Sequence, residues 1–128
     1  MRFTDQPAYK ENVILKLTFQ FAVDIVKYTE ELSKNRKFVI GDQLLKSGTS
    51  IGANVKESQN ADSKRDFIHK LKIALKEVDE TEYWLFICNE VESYPSTDHL
   101  ISQLTEISKV LTKIVTTTNR NHFQKAKN

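Results

Sequence analysis

The chain has 128 residues, 39% of them hydrophobic and 28% charged, a balance that suits one folded domain spanning residues 1–128 and excludes an intrinsically disordered chain. Three glycines and two prolines, against about 15 in an average chain of this length, exclude most all-β and doubly wound folds, which need turn residues at every connection. Nineteen Lys and Arg against 17 Asp and Glu leave a formal charge of +2, so total charge compels neither a nucleic-acid nor a membrane partner. The single cysteine, Cys88, has no partner for an internal disulfide, which fits a reducing compartment. No apolar stretch is long enough to span a bilayer and the N-terminus has no leader-like apolar run, so the expectation is a cytoplasmic protein.

Hydrophobic spacing predicts four helices. Over residues 11–34, Val13, Leu17, Phe21, Tyr28 and Leu32 share one stripe, the spacing that keeps apolar groups on one helical face. A second stripe, Leu15, Phe19, Ala22 and Val26, lies almost opposite. Over residues 39–57 the series is Ile40, Leu44, Ile51 and Val55, with Ser47 in the missing position. The longest predicted helix, residues 63–92, carries Phe67, Leu71, Ala74, Val78, Thr81, Leu85 and Cys88, and Ser63 with Asp66 three residues on forms a start signal. Over residues 97–117, Leu100, Leu104, Ile107, Leu111 and Ile114 repeat cleanly, and Pro95 precedes them. Residues 118–128 lack an apolar repeat and are expected to form a flexible tail. Short connections make sequential helices run oppositely, so the expected fold is all-α, an antiparallel up-down-up-down four-helix bundle.

Two helices carry more apolar surface than one bundle core buries: the first through its second stripe, the third through Tyr83, Trp84, Leu85, Phe86 and Ile87. Contiguous apolar patches of this kind mark interfaces, which predicts a homo-oligomer assembled through Leu15, Phe19, Val26, Trp84 and Ile87. The competing expectation is that loops or termini cover these faces.

Several motifs invite a chemical reading. Gly48-Thr-Ser-Ile-Gly52 matches G-x-S-x-G, but the motif sits in a helical stretch, not on the strand-to-helix elbow that exposes a serine nucleophile. Two glycines four residues apart are better explained by the close approach of another backbone. Asp66-x-x-His69 is half of a di-iron-like spacing without its other half, so no metal or cofactor is expected. Asp24, Asn54 and Glu82 occupy positions where the wheel expects core; with Ser50 and Glu57 they are assigned to a structural polar network rather than to an acid/base pair. Basic residues cluster as Lys34, Arg36 and Lys37; as Lys64, Arg65, Lys70, Lys72 and Lys76; and as Arg120, Lys125 and Lys127. Brought together by symmetry, such clusters attract a polyanion without reading bases.

Ser47-Gly-Thr-Ser-Ile-Gly-Ala-Asn-Val-Lys-Glu57 and Asp66-Phe-Ile-His-Lys-Leu-Lys-Ile-Ala-Leu-Lys-Glu-Val-Asp-Glu-Thr-Glu-Tyr-Trp-Leu85 resemble the four-helix bundle family named for intervening sequences of bacterial 23S rRNA genes. The likeness covers roughly residues 10–118. It implies a ring-like homo-oligomer, often a pentamer, without known catalysis, whose relatives include the nucleic-acid-binding accessory variability determinant of diversity-generating retroelements. The family's Ser-Ile-x-x-Asn signature falls on Ser50, Ile51 and Asn54, followed by Glu57, and its helix-three acid falls on Glu82. Many members carry two adjacent basic residues where this chain has Leu45 and Lys46. The function expected is therefore a non-enzymatic homo-oligomeric bundle that binds structured RNA or a ribonucleoprotein through basic clusters, without small-molecule substrate. The other expectation is a protein–protein scaffold that binds no nucleic acid.

Overall fold

Helices begin where a side chain replaces a missing backbone partner. The Asn12 side chain accepts from the Leu15 N–H at 3.2 Å, and Ser63 Oγ accepts from the Asp66 N–H at 3.0 Å, which starts two of the long helices at polar N-caps. The computed structural model describes residues 1–127, with side chains as far as residue 121. A 3-10 turn, Phe3–Asp5, leads into α1 (Pro7–Lys10), α2 (Val13–Lys34), α3 (Phe38–Ser58), α4 (Lys64–Glu90) and α5 (Asp98–Lys127). Among the described residues there is no strand.

The four long helices close a ring: α2 packs on α3 and α5, and α4 packs on α3 and α5, while the diagonal α2 and α4 meet only through side chains such as Tyr28 and Cys88. Contacts step along neighbouring helices in opposite order. Leu32 meets Gly41, Ile25 meets Gly48 and Thr18 meets Gly52, while across α3 and α4 Ser47 pairs with Thr81 and Glu57 with Lys70. The glycine spacing has the cause expected of it. A Cβ on Gly48 would stand 2.9 Å from Ile25 Cγ2, and one on Gly52 would stand 3.3 Å from the Thr18 carbonyl oxygen, so α3 lies against α2 at a separation only glycine permits.

The core follows the apolar series closely. On α4, Leu71, Ala74, Val78, Thr81, Leu85 and Cys88 are buried and Phe67 is half-buried; on α5, Leu100, Leu104, Ile107 and Leu111 are buried. Each such aliphatic side chain contributes about 1.5–3 kcal/mol on leaving water. Among the described residues the polar groups inside are paired, apart from Gln103 Oε1, which is buried without a partner. Thr81 Oγ1 donates to Ser47 Oγ at 2.9 Å, Thr97 Oγ1 donates to the Leu85 carbonyl at 2.9 Å, and Tyr28 Oη donates to the Pro95 carbonyl at 2.8 Å.

Three expectations need correction. Val13, placed on the core stripe, is 62% exposed, because the stripe turns inward only from Ile14. Leu15, expected at a subunit interface, is 4% exposed within the chain itself. Its stripe lies against α3, and its neighbour Phe19 is covered by the N-terminal segment: the Phe3 and Tyr9 rings meet Phe19 edge-on at 4.9 and 5.8 Å between centroids. The last helix, expected to end at residue 117, continues to Lys127; no Gly or Pro interrupts it, and such residues are what usually stop a helix.

Candidate nucleic-acid interface

Lys34, Arg36 and Lys37 surround the turn between α2 and α3. There the Lys37 N–H donates to the Leu32 carbonyl at 2.9 Å and the Arg36 N–H to the Ser33 carbonyl at 3.0 Å, the paired bonds of a Schellman ending. Such an ending places its closing residue in the left-handed region, where glycine is the ordinary occupant. Here Arg36 takes it with φ 62°, the one non-glycine with positive φ among the described residues, at a cost of about 1 kcal/mol.

Beside this turn lies a cleft of about 370 Å³, lined by Arg36, Lys37, Phe38, Ile40, Trp84 and Tyr94 among others. Lys37 Nζ sits 5.4 Å from the Tyr94 ring centroid, within cation–π range. Phe38 is 54% exposed. Among the described residues lining the cleft, none is acidic.

The other basic residues stand elsewhere. Lys64 and Arg65 are exposed at the start of α4, about 30 Å away along the 21 residues of α3. Lys72 is exposed further along α4, and Arg120 is exposed on α5 beside Lys109 and Lys113. Lys70 pairs with Glu57 at 3.5 Å, a largely exposed contact contributing about 0–1 kcal/mol. His122, Lys125 and Lys127 have side chains outside the described residues. Among the described residues the basic groups therefore stand at both ends of the bundle.

The expected polar network does not assemble across the bundle. Asp24 accepts from Gln103 at 2.9 Å and from Gln20 at 3.2 Å, which ties α2 to α5. Ser50 Oγ donates to the Lys46 carbonyl at 2.6 Å and Asn54 Nδ2 to the Ser50 carbonyl at 2.9 Å; both bond within their own helix. Glu82 is half-buried on α4, across the bundle from Asp24 on α2. The cross-helix polar link from α3 is Ser47 to Thr81 instead. The wheel marks a position as inward but does not say which neighbour it meets.

Of the expected interface residues, Val26 is 39% exposed, Trp84 and Ile87 are half-buried, and Trp84 Nε1 donates to Glu80 at 3.4 Å. Tyr83, at 62%, and Phe86, at 48%, are the more exposed members of the α4 aromatic run. Burial pushes the Tyr28 hydroxyl well above its ordinary range, with Cys88 adding to the effect, and burial likewise pushes the Cys88 thiol up. Burial also raises the Glu77 carboxyl, helped by Glu80 and opposed by Lys46. Among the described residues no three His, Cys, Asp or Glu side chains gather as metal ligands, and no helix is long and apolar enough to cross a membrane.

Sequence reasoning overlooked the partnership of Phe38 and Tyr94 with the basic turn. Phe38 and Tyr94 are distant from each other in the chain, and the available signal was only that Phe38 follows Arg36 and Lys37 directly.

Residues 10–113 match the family model for 23S rRNA-intervening sequence protein. A crystal structure of a protein with unknown function from the S23 ribosomal protein family, from Bacteroides thetaiotaomicron, is 43% identical; the match covers 80% of this chain and 98% of that one, with a TM-score of 0.77. Among curated proteins none matches the chain.

Proposed function

The chain belongs to the 23S rRNA-intervening sequence protein family, and from that premise we propose that it is a non-enzymatic, cytoplasmic binding module whose copies self-associate and engage structured RNA or a ribonucleoprotein through their basic turns. In this reading the helices form an antiparallel up-down-up-down bundle. The copies form a ring, a pentamer as the resemblance implies, and the accessory determinants of diversity-generating retroelements are relatives.

The observation that carries the reading is the placement of exposed cations at the ends of the bundle: Lys34 and Arg36 at one, Arg65 and Arg120 toward the other. A ring repeats each such group around a rim, where fields of like sign add and draw in a polyanion. Self-association is supported by the exposed apolar side chains of α4, Tyr83 and Phe86, since apolar groups gathered on one helix favour burial against another surface. The same side chains favour the second reading, a scaffold that docks a protein partner and no RNA.

Light scattering combined with binding of a structured RNA over a salt series tests both parts. A molar mass at a multiple of the subunit, and affinity falling with a log–log slope of about −3 for three or four phosphate contacts, is the expected result. An oligomer without RNA binding at low salt selects the scaffold, and a monomer removes the assembly.

A further inference from the structure

We propose that the cleft between the start of α3 and Trp84 is a seat for an unpaired RNA nucleotide, its base stacked among Phe38, Trp84 and Tyr94 and its phosphate held by Arg36 and Lys37. The inference rests on the RNA reading above and names the atoms that would carry it.

Three observations converge on this cleft. Its lining residues include three aromatic rings and two cations, and Glu80, which accepts from Trp84 Nε1 at 3.4 Å, is not among them; this is the chemistry of single-strand recognition: rings take the faces of bases, and cations take the backbone. Its volume, about 370 Å³, lies within the range of small-ligand sites. A base inside a duplex is already stacked on its neighbours, so only an unpaired nucleotide can enter.

The second observation concerns the backbone. Glycine would end α2 without strain at position 36, yet the chain places an arginine there at φ 62°, and that arginine lines the cleft. Strain held by a residue that the helix ending does not need is a mark of a side chain required for something else.

The third is the contrast with the adjoining groove between α2 and α3. Lys37 and Phe38 line that one too, but Glu30 and Asp42 share it, and their charge repels phosphate. Of the two clefts that share Phe38, the one on the Trp84 side is lined by cations without a carboxylate. An apolar helix from a second copy would fit this side poorly, because it would have to bury both cations without an acid to receive them.

Trp84 is the only tryptophan in the chain, so its fluorescence reports on this cleft alone. Titration of the full-length protein with a short oligouridylate at low salt is expected to quench Trp84 in a saturable way. Arg36→Gly is expected to weaken that binding about tenfold while raising the thermal midpoint, because glycine relieves the left-handed strain. Phe38→Ala is expected to weaken it comparably, about tenfold, without any change of charge, which separates stacking from bulk attraction. If a structured RNA binds but oligouridylate leaves Trp84 unquenched, or both variants bind it as the parent does, the cleft assignment is overturned and the broader RNA reading stands. If Phe38→Ala alters the molar mass and not the RNA affinity, the cleft belongs to a subunit contact and the assignment is likewise overturned. If neither RNA binds, both fall together.

Discussion

Replacing Gly48 by alanine tests the closeness of α2 and α3 directly. The added methyl would stand 2.9 Å from Ile25 Cγ2, 3.0 Å from Cγ1 and 3.3 Å from Cδ1, all tighter than ordinary carbon contact at about 3.5–4.0 Å. Ile25 is fully buried and branched at Cβ, so its χ1 has no free well to turn into. The helices must part instead, at about 1–3 kcal/mol for an overpacked core. Alanine returns about 1 kcal/mol in helix propensity, so the net expectation is a loss of about 1 kcal/mol and a fall in thermal midpoint of about 3–5 °C.

Gly41→Ala supplies the control within the same helix. Its methyl would meet Leu32 Cβ at 3.7 Å and Cδ1 at 3.9 Å, ordinary contact, so only the propensity gain of about 0.5–1 kcal/mol remains and the midpoint should rise. Urea denaturation of the two variants, and of Gly48→Ala in an Ile25→Ala background, reads the difference. In that background the clash atoms are gone and the Gly48→Ala penalty should vanish. A Gly48→Ala protein that melts at or above the parent would refute the close-approach account.

Three further outcomes follow from buried groups. Ser47→Ala strands the buried Thr81 hydroxyl, which donates to Ser47 Oγ at 2.9 Å, and should cost about 1–3 kcal/mol; Ser47→Ala with Thr81→Val should recover most of it, and a double-mutant cycle in urea checks this. Tyr28 is held well above the usual tyrosine value by burial, so the unfolded chain gives up that proton first. Stability from this group is whole below about pH 10 and is lost as pH rises toward the folded value. Tyr28→Phe should therefore flatten the alkaline fall in urea midpoint above about pH 10 and cost about 1 kcal/mol at neutral pH through the lost bond to the Pro95 carbonyl. Cys88 is buried with its thiol pushed up, so a thiol reagent at neutral pH should label it only as fast as the chain opens; rapid labelling of the native protein would contradict that burial.

Legibility of the candidate site was partial, for reasons visible in single residues. Lys34, Arg36 and Lys37 stand out as neighbouring letters, and the exposure of Lys34 and Arg36 follows from charge, while Lys37 is half-buried. The strain at Arg36 leaves no mark in the sequence, because a Schellman ending is normally recognised by its glycine and here the position is filled by arginine. Trp84 reads as apolar surplus and Phe38 falls between two predicted helices without a role, and only packing distinguishes a residue that joins a core from one that borders a cleft. Phe19 makes the same point from the other side: its exposure depended on a 3-10 turn and a four-residue helix, elements too short for periodicity to reveal.

The amino-acid order alone determined the helices and most of their inward faces. Burial at every third or fourth residue is a local property, and on α4 the whole series from Leu71 to Cys88 went inside as its spacing required. Which helices would be neighbours, and which polar groups would meet, was decided only in three dimensions. Gly48 admits Ile25, Asp24 finds Gln103 and not Glu82, and Lys37 comes to rest over Tyr94. A helical wheel fixes the direction of a side chain about its own axis; the partner at the end of that direction is set by the distance and stagger of another axis, which depend on every contact between the two helices at once.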